Sequence, residues 1–232
     1  DLGTHGTQAL GALGLSVLDI DNVLVTHSHA DHVGGLEELM LLNRYVKGRK
    51  PTILINEKYQ KILWSQTLRG GCEMNERHDG KGLGFLDYWE PLRPRKKKKL
   101  GRATERYTIG DLVLHTFRTR HYPEQAQSWE EAMYSTGLVI DERIFISGDT
   151  QFDPDLIEGY AAQFPIEQIY HDVQFFPGGI HASLEELKSL PEALRRMTYL
   201  YHYGDNFDDK RDEVKRAGFK GFAEQGKVYR FP

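Results

Sequence analysis

The sequence predicts an α/β fold. Short runs of β-branched and aliphatic residues alternate along the chain with stretches whose apolar residues recur at helical spacing, the pattern of helices layered on sheet. Composition agrees, since 39% hydrophobic and 28% charged residues are ordinary for a soluble globular chain. At 232 residues a folded chain hides about 70% of its unfolded surface, enough for one sizeable core. No repeat, low-complexity linker or change of composition divides it, so residues 1–232 read as a single domain.

The elements follow in order. Residues 22–26 (NVLVT) form a buried strand. After Gly34-Gly35, residues 36–45 read as a helix with Leu36, Leu39, Met40 and Val46 on one face. Pro51 blocks its continuation, and residues 52–56 (TILIN) make a second strand. Residues 57–69 are helical up to Gly70-Gly71. Residues 73–102, with glycines, two prolines and a lysine run, read as an irregular excursion. Residues 111–119 alternate as a strand, with His115 packed in its middle. Strands 134–140 and 143–147 pair around an Asp141-Glu142 turn. A helix after Pro154, a strand at 167–170, helical turns from Ser183, a strand at 199–203 and a helix at 208–217 complete the chain.

Charge and cysteine content exclude several classes. The net charge is −4, yet residues 93–102 (RPRKKKKLGR) hold seven basic groups and no acid, which leaves −11 for the rest. An acidic body with one basic strip differs from the broad basic surface of a nucleic-acid-binding domain. The strip reads as a solvated loop, with nucleic acid as a partner not favoured. Cys72 is the single cysteine, so neither a disulfide framework nor a cysteine-rich zinc site is expected, and a cytoplasmic setting fits. No apolar run approaches the roughly 18 residues of a membrane span, and no signal peptide opens the chain.

The chemistry concentrates in residues 26–35, THSHADHVGG. Side chains alternate in an extended chain, so His27 and His29 project to one side, while Asp31 and His32 lie in the turn that follows. Three histidines and an aspartate within six positions after a buried strand have no packing rationale. Two imidazoles and then a carboxylate with an imidazole can serve two metal ions.

The HxHxDH string followed by two glycines resembles the metallo-β-lactamase superfamily. The resemblance implies an αββα sandwich with a dinuclear metal site at one edge, and three further ligands, each after a strand. Residues in order match: His121 after strand 111–119, Asp149 in SGDT and His202 in YLYHYGD. On that pattern His27, His29 and His121 hold one metal, Asp31, His32 and His202 the other, and Asp149 bridges. The string Asp1-Leu2-Gly3 resembles the superfamily's DxG, whose aspartate bonds a ligand histidine and fixes its tautomer. The family carries strands ahead of that string, which residues 1–232 do not include; the match runs to about residue 205.

The substrate depends on the branch. Zinc β-lactamases commonly place a cysteine where Ser147-Gly148-Asp149 stands here, and an aspartate that can bridge two metals disfavours antibiotic hydrolysis. HDVQFFPGGIHAS (171–183) resembles the ribonuclease Z branch, which implies His181 as a catalytic histidine and His171 as an orienting one. Only 27 residues separate His121 from Asp149, too few for that branch's tRNA-gripping arm. HDVQFFPGGIHAS and YLYHYGDN are most similar to the phage anti-Pycsar phosphodiesterases. That resemblance implies a homodimer that hydrolyses small 3′,5′-cyclic mononucleotides in the host bacterial cytoplasm through a metal-bridging hydroxide, and so counteracts cyclic nucleotide immune signalling. Two Zn²⁺ ions are implied; the thiolate-free ligand set also suits Mn²⁺. Asp31 would orient the hydroxide or take its proton, and His181 would protonate the leaving oxygen. The alternatives are a ribonuclease Z-like nuclease, a lactone or thioester hydrolase, and a protein that sequesters nucleotides without turnover. For base recognition, Tyr122, Phe175 and Phe176 offer aromatic faces, each equally suited to core packing. Ser135 and Gly137 could offer backbone amides to phosphate.

Overall fold

A short aliphatic run, Asn22–Leu24, forms the first strand (β1) of one compact unit, Asp1–Pro94; a second unit spans Arg95–Pro232. The computed structural model describes residues 1–97, 100 and 102–231, so the middle of the basic strip lies in part outside the described residues.

In the first unit, helix α1 (Gly6–Ala12) precedes β1, and α2 (Ala30–Val33) and α3 (Leu36–Tyr45) follow it. Next come β2 (Thr52–Leu54), α4 (Glu57–Leu63) and α5 (Arg69–Cys72). The hairpin β3 (Arg77–His78) and β4 (Lys81–Gly82), then α6 (Phe85–Tyr88) and β5 (Glu90–Leu92), end it. Strands β1, β2 and β5 form a parallel sheet in that order, with Val23 beside Ile53 and Ile53 beside Pro91. Of the face predicted for α3, Leu36, Leu39 and Met40 are fully enclosed, whereas Val46, just past the helix end, is 65% exposed. Asn56 caps α4 by accepting from the Tyr59 amide at 2.8 Å.

The expected irregular excursion at 73–102 is a correction, since it holds β3, β4, α6, β5 and a further strand at Arg95–Lys97. Strands of two or three residues are too short for alternation to show. Pro91 also argued against a strand, but β5 lies at the sheet edge, where proline is tolerated. The single helix expected over 57–69 is interrupted by a π-helical turn, Trp64–Leu68, between α4 and α5.

In the second unit eight described strands form one sheet, order β13-β12-β11-β10-β9-β8-β7-β6. These are β6 (Arg95–Lys97), β7 (Thr104–Ile109), β8 (Leu112–Arg118), β9 (Thr136–Ile140), β10 (Ile144–Ile146), β11 (Gln168–Asp172), β12 (Thr198–Tyr201) and β13 (Gly221–Phe222). Strands β6 to β10 are antiparallel, as hairpin connections allow; β10 to β13 are parallel and use helical crossovers. The helices are α7 (Pro154–Ala161), α8 (Leu184–Leu187), α9 (Glu192–Arg195) and α10 (Arg211–Arg216). Phe117, Val139, Phe145, Ile169 and Leu200 from the sheet pack with Leu156, Ile157 and Tyr160 of α7. Phe117 and Phe145 stack at 5.2 Å, an offset contact worth about 1 kcal/mol beyond the area buried. This core supports β8, β10, β11 and β12, and the second unit's candidate ligands His121, Asp149 and His202 lie just past the C-terminal ends of β8, β10 and β12.

Candidate metal centre

Within the first unit the chain leaves β1 extended and turns at α2, which gathers three imidazoles. The His27 ring centroid is 4.6 Å from that of His29 and 4.1 Å from that of His32. Asp1 underlies the group. Its Oδ2 accepts from His32 Nδ1 at 2.8 Å, and its carboxylate also accepts from the Thr26 amide (2.7 Å) and hydroxyl (2.8 Å). That bond makes Nε2 the lone-pair nitrogen of His32, 3.5 Å from Asp31 Oδ2. The Thr26 hydroxyl also lies 3.1 Å from His27 Nδ1. The segment around Asp1 is clamped to the turn by Leu2 N–H to His32 O (2.9 Å) and Thr4 N–H to Ala30 O (3.1 Å). Gly3 is obligatory there, because a Cβ would lie 1.8 Å from the Asp31 carbonyl oxygen.

Within the second unit His121, Asp149 and His202 follow the ends of β8, β10 and β12, and His181 stands on the loop between β11 and α8. Gly148, at φ +63°, turns the chain out of β10 and presents Asp149; a Cβ on it would lie 2.3 Å from the Thr136 carbonyl oxygen. Asp149 Oδ2 is 3.3 Å from His202 Nε2, 3.7 Å from His121 Nε2 and 4.0 Å from His181 Nδ1. His121 Nδ1 donates to Ile180 O at 2.9 Å, which makes its Nε2 the lone-pair nitrogen. His121, Asp149 and His181 each offer one ligand atom, all within 4.8 Å of one another. His202 sits in the left-handed region at φ +61°, a strained position for a non-glycine residue, and such positions cluster at functional sites. Two loops are laced together behind the ligands, with Gln151 amide to Arg120 O (2.7 Å) and Gln151 side chain to His121 O (2.9 Å).

A residue the sequence reading did not single out, Asp172, organises this side. It is fully buried at the end of β11, and its Oδ2 accepts from His181 Nδ1 at 2.9 Å and from the Thr150 amide at 3.1 Å. Its Oδ1 lies 3.1 Å from His171 Nδ1 and accepts from the Ser147 hydroxyl at 3.3 Å. Burial alone would raise the Asp172 pKa; hydrogen bonds from His171 and His181 outweigh it and hold the carboxyl well below the usual carboxylate range. His171, fully buried, also donates from Nδ1 to the Asp172 carbonyl at 2.8 Å. The signal for Asp172 was its place in HDVQFF, directly after His171 on a strand whose next ends carry ligands.

A metal fits these residues chemically. The Asp149 side chain is 1% exposed, and its Oδ2 stands within 3.3–4.0 Å of three imidazole nitrogens, the carboxylate-and-imidazole donor set that a divalent cation takes. Nitrogen and oxygen donors without thiolate suit zinc or manganese.

A family description, anti-Pycsar protein Apyc1, matches residues 1–229. The chain belongs to the anti-Pycsar Apyc1 family. An Apyc1 protein of Bacillus phage vB_BsuM-Goe3 is 35% identical over 232 residues, covering 98% of this chain and 84% of the relative. One of Saccharibacillus brassicae is 34% identical, covering 99% and 86%. Among solved structures, the metallo-β-lactamase fold protein YhfI of Bacillus subtilis superposes with a TM-score of 0.64 at 14% identity, covering 99% of this chain and 85% of that one. The short form of human tRNase Z, ELAC1, gives 0.63 at 16%, covering 100% and 87%. The fold is therefore that of the metallo-β-lactamases.

The remaining sequence candidates of this Apyc1-family chain divide by burial. Ser135 is fully buried, with its hydroxyl directed to Asp149 O at 3.4 Å and its carbonyl taken by the Thr119 amide. Gly137 is pressed against β10, where a Cβ would lie 2.2 Å from Ser147 O, so it serves the sheet. Phe175 packs edge-on to Phe222 at 6.0 Å, whereas Phe176 is 62% exposed. Within the basic strip, Arg93 donates to Ile55 O (3.0 Å), and Arg102 pairs with Asp153 at 2.6 Å and donates to Arg118 O (2.9 Å). Those two cations are structural. Among the described residues no helix is long and apolar enough to cross a membrane.

Proposed function

We propose that the protein is a metal-dependent phosphodiesterase that opens 3′,5′-cyclic mononucleotides and thereby counters a cyclic-nucleotide defence of the host. Membership of the anti-Pycsar family supports the counter-defence role. Neighbours of the same fold, a diphosphatase of the PhnP family and a tRNase Z, are in keeping with a hydrolase. The observation that carries the phosphodiester chemistry is the Asp172–His181 pair, 2.9 Å apart, beside Asp149.

The proposed ligand set joins His27, His29, Asp31 and His32 of the first unit with His121, Asp149 and His202 of the second, in the order of the family pattern. Bound there, two divalent cations would supply Lewis-acid charge for the phosphate oxygens and activate water. The chain's own groups do the rest. His32 and His121 are each held through Nδ1, by Asp1 and Ile180 O, so each ring keeps one orientation. Asp31, with its side chain 58% exposed, accepts the proton of the attacking water. The new oxygen–phosphorus bond forms as the bond to a ribose oxygen breaks. His181 Nε2 gives its proton to that oxygen, and Asp172 stabilises the imidazolium from the Nδ1 side. The product is a nucleoside monophosphate.

The test is hydrolysis of a 3′,5′-cyclic nucleotide panel by metal-loaded protein, with Asp149→Ala and a precursor tRNA alongside. Metal-dependent opening of several cyclic mononucleotides with the tRNA intact supports the reading. Cleavage of the tRNA that weakens steeply with salt would replace it with the nuclease reading. Retention of intact nucleotide without turnover would make the protein a sequestering one.

A further inference from the structure

The loop that carries His181 also carries an exposed aromatic ring that the chemistry above does not use. Between β11 and His181 the chain runs Phe175-Phe176-Pro177-Gly178-Gly179-Ile180, with Gly178 and Gly179 at φ +73° and +85°. Two successive left-handed glycines double the chain back. The bend is pinned from three sides. The Gln174 side chain donates from Nε2 to Phe176 O at 2.9 Å and to Gly178 O; Glu124 Oε1 accepts from the Gly179 amide at 2.8 Å; Ile180 O accepts from His121 Nδ1. Phe175 enters the core, while Phe176 is held at 62% exposure with its ring edge 3.5 Å from where a Gly179 Cβ would stand. A ring exposed at a floppy tip would be unremarkable; this one is exposed on a rigid bend.

Phe176 also forms one wall of a cavity of about 140 Å³ with Phe175, Pro177 and Leu184, and Ser183, Glu185, Lys210 and Glu213 complete its lining. Cavities that enclose a whole small ligand are about 300 Å³ or larger, so this one has room for a ring system and not for a complete nucleotide. Its Phe175, Phe176, Pro177 and Leu184 side is apolar, and the loop that carries the two phenylalanines runs on through Ile180 to His181 and, two residues later, to Ser183.

We propose that this slot receives the nucleobase of the substrate, stacked on Phe176. The assignment rests on the phosphodiesterase reading and deepens it by placing the base on the same loop as the general acid. The slot's aromatic and aliphatic side can take the π-face that every base has, so stacking on Phe176 tolerates purines and pyrimidines alike. Phe176 is on this view a specificity residue that acts on binding and not on proton transfer.

The experiment compares wild type, Phe176→Ala and Phe176→Trp on two substrates: 3′,5′-cyclic nucleotides and methyl p-nitrophenyl phosphate, which has no base. Removing a stacking ring costs about ten- to a hundredfold in affinity. Phe176→Ala is expected to raise KM for cyclic nucleotides by that amount with kcat nearly unchanged, and to leave the base-free ester untouched. In Phe176→Trp the KM should be kept, and the added indole emission should be quenched by cyclic nucleotide. An unchanged KM in Phe176→Ala overturns the assignment, as does an equal loss on both substrates, which would show a structural role. Wild type that cleaves the base-free ester but no cyclic nucleotide would instead sink the substrate reading itself.

Discussion

His181 is held by a carboxylate, and that pairing decides what its removal should cost. A general acid matters in proportion to the basicity of the leaving oxygen. His181→Ala is therefore expected to lower kcat for cyclic nucleotides, whose leaving group is a ribose alkoxide, by about 10²- to 10⁴-fold. With p-nitrophenolate, which departs without a proton, the loss should stay within about tenfold. Equal losses on both would remove His181 from the acid role. Asp172→Asn should fall between wild type and His181→Ala on the alkoxide substrate, because the ring remains but its partner no longer stabilises the imidazolium. Cys72 makes a different forecast. It is fully buried, and burial pushes its thiol up to about 12. Folded protein should resist a thiol-disulfide reagent at pH 8, with one equivalent reacting only after denaturation; rapid labelling of the native state would show that α5 opens readily.

At the scale of elements, the candidate ligands of the first unit stood out because three histidines and an aspartate crowd six positions, and what surrounds them did not. His27, His29, Asp31 and His32 fall within six positions, and the structure gathers them at one turn with Asp1 beneath. Asp172 went unread although it follows His171 in HDVQFF, because only the fold sets it against His181 and Ser147. Long strands such as β8 announced themselves by alternation. β5 did not, since three residues containing Pro91 carry no period, nor did α1, whose seven residues bury nothing and include no charge. Glycine was legible as a turn residue but not as a contact. Gly3→Ala should destabilise the fold by about 1–3 kcal/mol and weaken cation binding, because the methyl would strike the Asp31 carbonyl and push the clamp off His32. Gly148→Ala should do at least as much, adding left-handed strain to a clash with Thr136 O. Urea melts of both variants with and without Zn²⁺ check this, and variants as stable as wild type would refute the close approaches.

For the whole molecule, the proposed ligand set couples metal affinity to folding in a way a thermal melt can read. A cation that binds only the folded chain adds stability as RT ln(1 + [L]/Kd), about 2.7 kcal/mol per site at a hundredfold excess over Kd. For a chain of this length each kcal/mol moves Tm by roughly 2–4 °C, so one filled site is worth roughly 5–10 °C. Chelation should accordingly lower Tm by at least that much, and Zn²⁺ or Mn²⁺ should restore it. Drawing ligands from both units makes a sharper demand. His29→Ala in the first unit and His202→Ala in the second should each reduce the bound metal and shrink the chelator-sensitive part of Tm. Asp149→Ala, the proposed bridge, should affect both ions and reduce it most. Metal content by elemental analysis and melts of the same samples decide the matter. Loss of metal and of the shift only in second-unit variants would mean that His121, Asp149, His181 and His202 hold the cation alone, and that the HxHxDH turn has another task.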